Sequence, residues 1–403
     1  AVGTMFVICR LLDGVTDFAM GGIVDKTNTK IGKARPWLII CAPLMVIGII
    51  LILSVPQGWS QAGKLVYAYI TYIFLNCIVY TIFGIAHTAL LARMTRDFKD
   101  CNSTSTVSSI INNLAGLVVG TMITGLQLKF GWTITGIILG LIAGILILIP
   151  GLAIQENVGM DENAGRPKES VPLKEQLPPV MKNKYFWLAL ILGALTLFVN
   201  ANAIGAQIYY CNVVLKNPMY MTVLMSVGQA PGIIALFFMP TFANKFSKRS
   251  FMSIGAILMI AGFCMIGAAG TNTTMLLVGT IIRSIGIGPM FAGLYAFCAD
   301  AADYGEWKFG VRSEGLLASS QSIGSKIGIG FGSACTAWIL AAAGYIQDPM
   351  AQQPDAVVSA IRFDYGWLGA IVSVVLLIGV LLMDVEKYLP EIRKTIGDRK
   401  PEM

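Results

Sequence analysis

Residues 2–21 read Val2-Gly-Thr-Met-Phe-Val-Ile-Cys9-Arg10-Leu-Leu-Asp13-Gly-Val-Thr-Asp17-Phe-Ala-Met-Gly21. The run has helical length and is mostly apolar, yet it carries two acids four residues apart. Positions i and i+4 lie one above the other on a helix face. In a bilayer each ionised acid costs about 2.5–3.5 kcal/mol by insertion scales. Two on one face also repel. A small bound cation is the simplest compensation, so this stretch reads as a membrane helix with an ion site.

The rest of the chain agrees with a membrane setting. Of 403 residues, 56% are hydrophobic and 13% charged, against about 25% charged in a soluble domain. Apolar runs of about 20 residues match a bilayer core. They fall at 1–23, 36–56, 64–92, 104–127, 132–154, 185–212, 219–243, 250–270, 273–300, 314–344 and 363–384, about eleven helices. The predicted fold class is an all-α membrane protein. The formal charge of +7 is not a nucleic-acid signal, because the basic residues are spread over short loops.

Those loops set the orientation. Lys26, Lys30, Lys33 and Arg35 follow the first helix, and Arg93, Arg96 and Lys99 follow the third. Arg166, Lys168, Lys174, Lys182 and Lys184 follow the fifth, and Lys245, Lys248 and Arg249 the seventh. Lys387, Arg393, Lys394, Arg399 and Lys400 follow the last, while the intervening loops carry few basic residues. The basic loops and the C-terminus are therefore expected in the cytoplasm. The polar stretch 155–184 reads as a central cytoplasmic loop. It separates an N-terminal bundle, 1–154, from a C-terminal bundle, 185–384, with a cytoplasmic tail at 385–403. Five helices before the loop and six after it suggest a twelve-helix plan whose first helix is absent here. Parallel halves around a central cavity are a common transporter plan.

Enzyme chemistry is not expected. Nucleophile elbow, phosphate loop and zinc signatures are lacking. Seven cysteines lie in apolar spans and Cys101 near a loop, with no CxxC pair, so neither metal nor redox chemistry is indicated. His87, the sole histidine, is a candidate cavity residue.

Three motifs point to a family. The loop Gly22-Ile-Val-Asp25-Lys-Thr-Asn-Thr-Lys-Ile-Gly-Lys33-Ala-Arg35-Pro-Trp37 resembles the loop between helices two and three of major facilitator transporters. Arg10-Leu-Leu-Asp13-Gly-Val-Thr-Asp17, with Gly32-Lys-Ala-Arg-Pro-Trp37, resembles the glycoside–pentoside–hexuronide cation symporters of the melibiose permease type. So does Ala299-Asp-Ala-Ala-Asp303-Tyr-Gly-Glu306-Trp-Lys-Phe-Gly-Val-Arg312-Ser-Glu-Gly315, with Ser322-Ile-Gly-Ser-Lys326.

The resemblance implies a major facilitator fold of two six-helix bundles. It implies cation-coupled uptake of a sugar or glycoside by alternating access, in a bacterial inner membrane and as a monomer. Asp13, Asp17 and Thr81 match the family's cation site, for sodium or a proton, with no other cofactor. Arg10, Gln321 and Lys326 match residues near the substrate, beside which His87 and Asn113 are candidate lining. Asp25, Lys33, Arg35, Asp303, Glu306 and Arg312 fall in the segments that latch the family's conformations. Departures matter too. Thr16 replaces an asparagine of sodium-coupled members, and Gly84, Thr88 and Ser109 replace the acid, aromatic and arginine that grip galactosides. An α-galactoside is therefore not the expected cargo. Asn200, Asn202, Gln207, Tyr209 and Tyr210 are candidate lining from the second half. Arg283, inside an apolar span, is expected either to meet an acidic substrate or to pair with an acid on a neighbouring helix. Lysophospholipid symport, uncoupled facilitation and ligand sensing are the alternatives.

Overall fold

Hydrocarbon leaves backbone N–H and C=O groups no partners but each other, which makes helices the default for apolar runs of this length. A computed structural model of the chain describes residues 2–56, 58–94, 98–154, 156, 178, 180–229, 247–309, 314–347, 352–388 and 391–392. Among the described residues the regular structure is helical, apart from one isolated bridge between Thr29 and Gly32. The chain divides into two units, Ala1–Glu169 and Ser170–Met403.

The first unit contains α1 (Val2–Lys26), α2 (Arg35–Leu53), α3 (Gln61–Ile73), α4 (Tyr80–Met94) and α5 (Phe98–Ala153). A π-helical segment, Phe74–Val79, joins α3 to α4. Within α5 the expected spans 104–127 and 132–154 meet at Gly131, whose φ of 77° and ψ of 172° suit glycine. The second part of α5 packs on α2 through bare backbone. A Cβ at Gly140 would lie 3.1 Å from the Val46 carbonyl, and one at Gly151 would lie 3.2 Å from Ile39. Leu38, Cys41, Val79, Ala86 and Leu90 form the core there. A smaller cluster of Met5, Cys9 and Cys77 ties α1 to the π segment.

The second unit contains α6 (Lys184–Tyr209), α7 (Lys248–Ala269), α8 (Thr273–Phe309), α9 (Glu314–Ala342), α10 (Asp355–Arg362) and α11 (Gly369–Leu381). Residues 220–229 are also helical. π segments extend α6 over Tyr210–Val214 and join α10 to α11 over Phe363–Leu368. Asn183 and Ser247 cap α6 and α7, each accepting from a backbone N–H in the first turn. α9 meets α6 along Gly324, Gly328 and Gly332, spaced by four. A Cβ at any of the three would overlap a carbonyl oxygen of α6, those of Leu190, Ala194 and Phe198 in turn. This is the small-residue contact by which membrane helices approach closely.

Eight helices among the described residues are long and apolar enough to cross a bilayer. α1 folds as expected, but Arg10, Asp13 and Asp17 keep it outside a set chosen by apolarity. The expected span 219–243 runs past residue 229 and beyond the described residues. The last span is corrected. Its helix starts at Asp355, not 363, because Asp355–Arg362 is amphipathic and buries only Val357 and Ile361. Outward stripes such as Ile142, Ile145, Leu146 and Ile149, or Ile371, Val375 and Ile378, are exposed and apolar. Contiguous faces of that kind suit lipid.

Candidate functional site

Asp13 sits in the middle of α1 and is 4% exposed. Arg10, one turn earlier, sets Nη1 2.9 Å from Asp13 Oδ2. Thr16 donates to the carbonyl of Asp13 at 3.2 Å, and its hydroxyl lies 3.4 Å from that of Thr81. Thr81 opens α4 just past the π segment and is buried. The same segment turns the Cys77 thiol toward α1, where it donates to the Cys9 carbonyl at 3.4 Å. Asp17 lies one turn beyond Asp13 and is half-buried. Hydroxyl oxygens of α1 and α4 thus approach each other one turn from the Asp13 carboxylate.

Arg10 meets Asp13, while Thr81 meets Thr16, one turn further along α1. Only helical register could have brought in Thr16 and Cys77. Thr16 follows Asp13 by three positions, and Cys77 precedes Thr81 by four. His87 lies elsewhere. Six residues past Thr81 it has turned about 240° around the helix, and its ring stacks on Phe83 at 5.4 Å. The side chains of Asp25, Ser109, Asn112, Asn113 and Gln321 lie outside the described residues, as does all of Arg312. Lys326 is half-buried on α9.

The basic loop after α1 is held by its backbone. Glu156 accepts hydrogen bonds from the backbone N–H groups of Lys33, Ala34 and Arg35 at 3.0, 2.9 and 3.1 Å. A carboxylate on a helix N-terminus satisfies unpaired donors and meets the positive end of the dipole. Arg35 reaches back, giving Nε to the Gly151 carbonyl at 3.0 Å and Nη2 to that of Leu152 at 2.7 Å. These bonds all stay inside the first unit, clamping the start of α2 to the end of α5.

In the second unit Asp303 and Glu306 occupy the last turns of α8. Nearby, Lys248 binds both Asp300 oxygens at 2.7 Å, and Lys184 binds Asp384 at 2.9 Å. Tyr304 accepts from Lys308 at 2.9 Å, and that bond holds the exposed ammonium above its ordinary pKa.

Two expected lining residues face the bundle interior instead. Tyr210 donates to the Gly270 carbonyl at 2.6 Å. Asn202 gives its amide to Thr336 at 3.1 Å and to Asp364 at 2.8 Å. Arg283 is 4% exposed and lies over the Phe263 ring at 5.3 Å. Among the described residues no acid pairs with it.

Comparison with known proteins bears on this arrangement. A family described as MFS/sugar transport protein matches residues 1–387. The chain belongs to that family. It is 28% identical over 402 residues to an isoprimeverose transporter of Lactiplantibacillus pentosus, covering 97% of this chain and 82% of that protein. It is 30% identical over 372 residues to a glucuronide carrier protein homolog of Escherichia coli, covering 89% and 78%. In three dimensions it resembles a bacterial homolog of the lysosomal transporter Spinster in an inward-facing state. There the TM-score is 0.66 at 14% identity over 99% of this chain and 91% of that one. A point mutant of the nucleoside transporter NupG gives 0.63 at 16% identity over 95% and 90%. These two likenesses establish the major facilitator fold and nothing finer. The molecule is therefore a multi-pass membrane transporter of the glycoside–pentoside–hexuronide type, not an enzyme.

Proposed function

We propose that the chain couples inward movement of a sugar or glycoside to a monovalent cation, sodium or a proton, across a bacterial inner membrane. One observation carries this reading. Buried Asp13 and half-buried Asp17 stand one turn apart on α1, and the Thr16 hydroxyl between them lies 3.4 Å from that of Thr81 on α4. Arg10 pairs with Asp13, and a second acid one turn on, with two hydroxyls, offers hard oxygen ligands to a small cation. Before the ion arrives, two acids on one helix face favour a hydrated, open site. Binding the ion offsets their charge and draws α1 and α4 together. If the ion raises sugar affinity, the sugar must raise ion affinity by the same factor. Relatives named for isoprimeverose and glucuronide support a glycoside cargo, and the replaced galactoside-gripping positions Gly84 and Thr88 count against α-galactosides.

The test is uptake into vesicles of a panel of radiolabelled glycosides, pentosides and hexuronides, with sodium and proton gradients imposed separately. Accumulation of one sugar driven by one gradient, and lost in Asp17→Cys, is the expected result. Equal uptake with and without both gradients would overturn coupling.

A further inference from the structure

Asp364 is the most deeply buried acid among the described residues, at 1% exposure. It sits in the π segment between α10 and α11, nine residues after the helix begins at Asp355. By the loop charges that end faces outward, so Asp364 lies about 14 Å into the helix at 1.5 Å per residue. π segments inside helices recur at functional sites. Acids within membrane spans are costly and usually functional.

Its surroundings are specific. Asn202 of α6 donates to Asp364 Oδ1 at 2.8 Å. The Thr336 hydroxyl of α9 also hydrogen-bonds the carboxyl, and accepts from Asn202 at 3.1 Å. Three helices thus close a triangle of hydrogen bonds around one carboxyl group. Among the described residues no basic side chain takes part in it. The titratable groups facing it are few. α9 offers Cys335, beside Thr336. α6 offers Tyr210, whose ring lies 5.2 Å from that of Tyr365, next to Asp364 in the chain. On its own helix, Arg362 neighbours Tyr210, and Tyr365 turns toward Arg283 of α8.

An ionised Asp364 would be a charge inside a membrane span with only neutral dipoles to offset it. A metal cation does not fit, because the amide N–H of Asn202 points at the oxygen such an ion would need. A proton does. A hydroxyl can rotate and either donate or accept. When Asp364 is ionised, Thr336 donates to it. When Asp364 is protonated, its O–H donates to Thr336 Oγ1 while the other oxygen still accepts from Asn202. Both carboxyl oxygens therefore keep a hydrogen-bond partner in either state, so the proton can come and go without unpairing the carboxyl.

We infer that Asp364, with Asn202 and Thr336, is a reversible proton-binding site in the second unit, separate from the Asp13–Asp17 site. Infrared difference spectroscopy of the full protein in lipid vesicles tests this without any sugar, so it is independent of the substrate reading. Raising the pH should remove one carboxylic C=O band in the wild type. Asp364→Asn, isosteric with the protonated acid, should lack that band completely, while Asp13→Asn and Asp17→Asn keep it. Thr336→Val should shift its frequency. An unchanged band in Asp364→Asn overturns the site. Should Asp364→Asn fail to fold by circular dichroism, Thr336→Val decides, and an unmoved band is then fatal.

Discussion

Arg10 and Asp13 form an ion pair within a single helix, Nη1 to Oδ2 at 2.9 Å, where the sequence shows mainly a pair of acids. Removing one partner of a buried pair costs about 3–5 kcal/mol, chiefly by stranding the other charge. Arg10 keeps a quarter of its side chain exposed, so the low end applies. Arg10→Gln should lower thermal stability, and Arg10→Gln with Asp13→Asn should recover most of the loss. A double-mutant cycle in melting temperature measures this. Simple additivity of the two changes would contradict the pairing.

Thr81→Val removes a hydroxyl from the proposed ion site and keeps the side-chain shape. Losing one ligand of about 1.4 kcal/mol weakens binding tenfold. The ion concentration giving half-maximal uptake should therefore rise about tenfold, with Thr81→Ser near wild type. A Thr81→Val protein with unaltered ion dependence would remove Thr81 from the site.

Gly32 has a φ of 119°, and any Cβ there would run into the Glu156 carboxylate. Gly32→Ala should therefore be destabilising by about 1–3 kcal/mol from backbone strain alone. Glu156→Gln keeps the shape and loses the charge that faces the start of α2, worth about 0.3–1 kcal/mol. Proteolysis at the loop 27–34 reads both. The alanine variant should be cut fastest and the glutamine variant at an intermediate rate.

Gly328→Leu puts a side chain where α9 touches the Ala194 carbonyl of α6. The two helices would have to separate, and the folded yield in membranes should collapse. Leucine at exposed Ile327, one position away on the lipid-facing side, should be tolerated. Equal yields for the two variants would contradict the close contact.

Some of this was legible in the sequence for a plain reason. Asp13 and Asp17 stand out because their neighbours are apolar, so a four-residue spacing marks them at once. Asp364 did not stand out, because the apolar run counted from 363 placed it at a membrane boundary. Only the amphipathic turn Asp355–Arg362 shows that the helix starts earlier, and amphipathic turns look like loops to a hydropathy count. Glu156 was hidden differently. Its role comes from backbone N–H groups of residues more than 120 positions away, and main-chain donors leave no trace in side-chain chemistry. Asn202 read as cavity lining because an amide on an apolar helix serves packing and ligand binding alike.

The glycine ladder of α9 has a mechanical corollary. Two rods in main-chain contact at three successive rungs leave no slack for a side chain to swing or a turn to slip between them. α6 and α9 must travel as one stiff plank whenever the carrier changes state. Spin labels on lipid-facing Ile191 and Phe331 should keep a constant separation with and without cargo, and the bending must be sought in other helices.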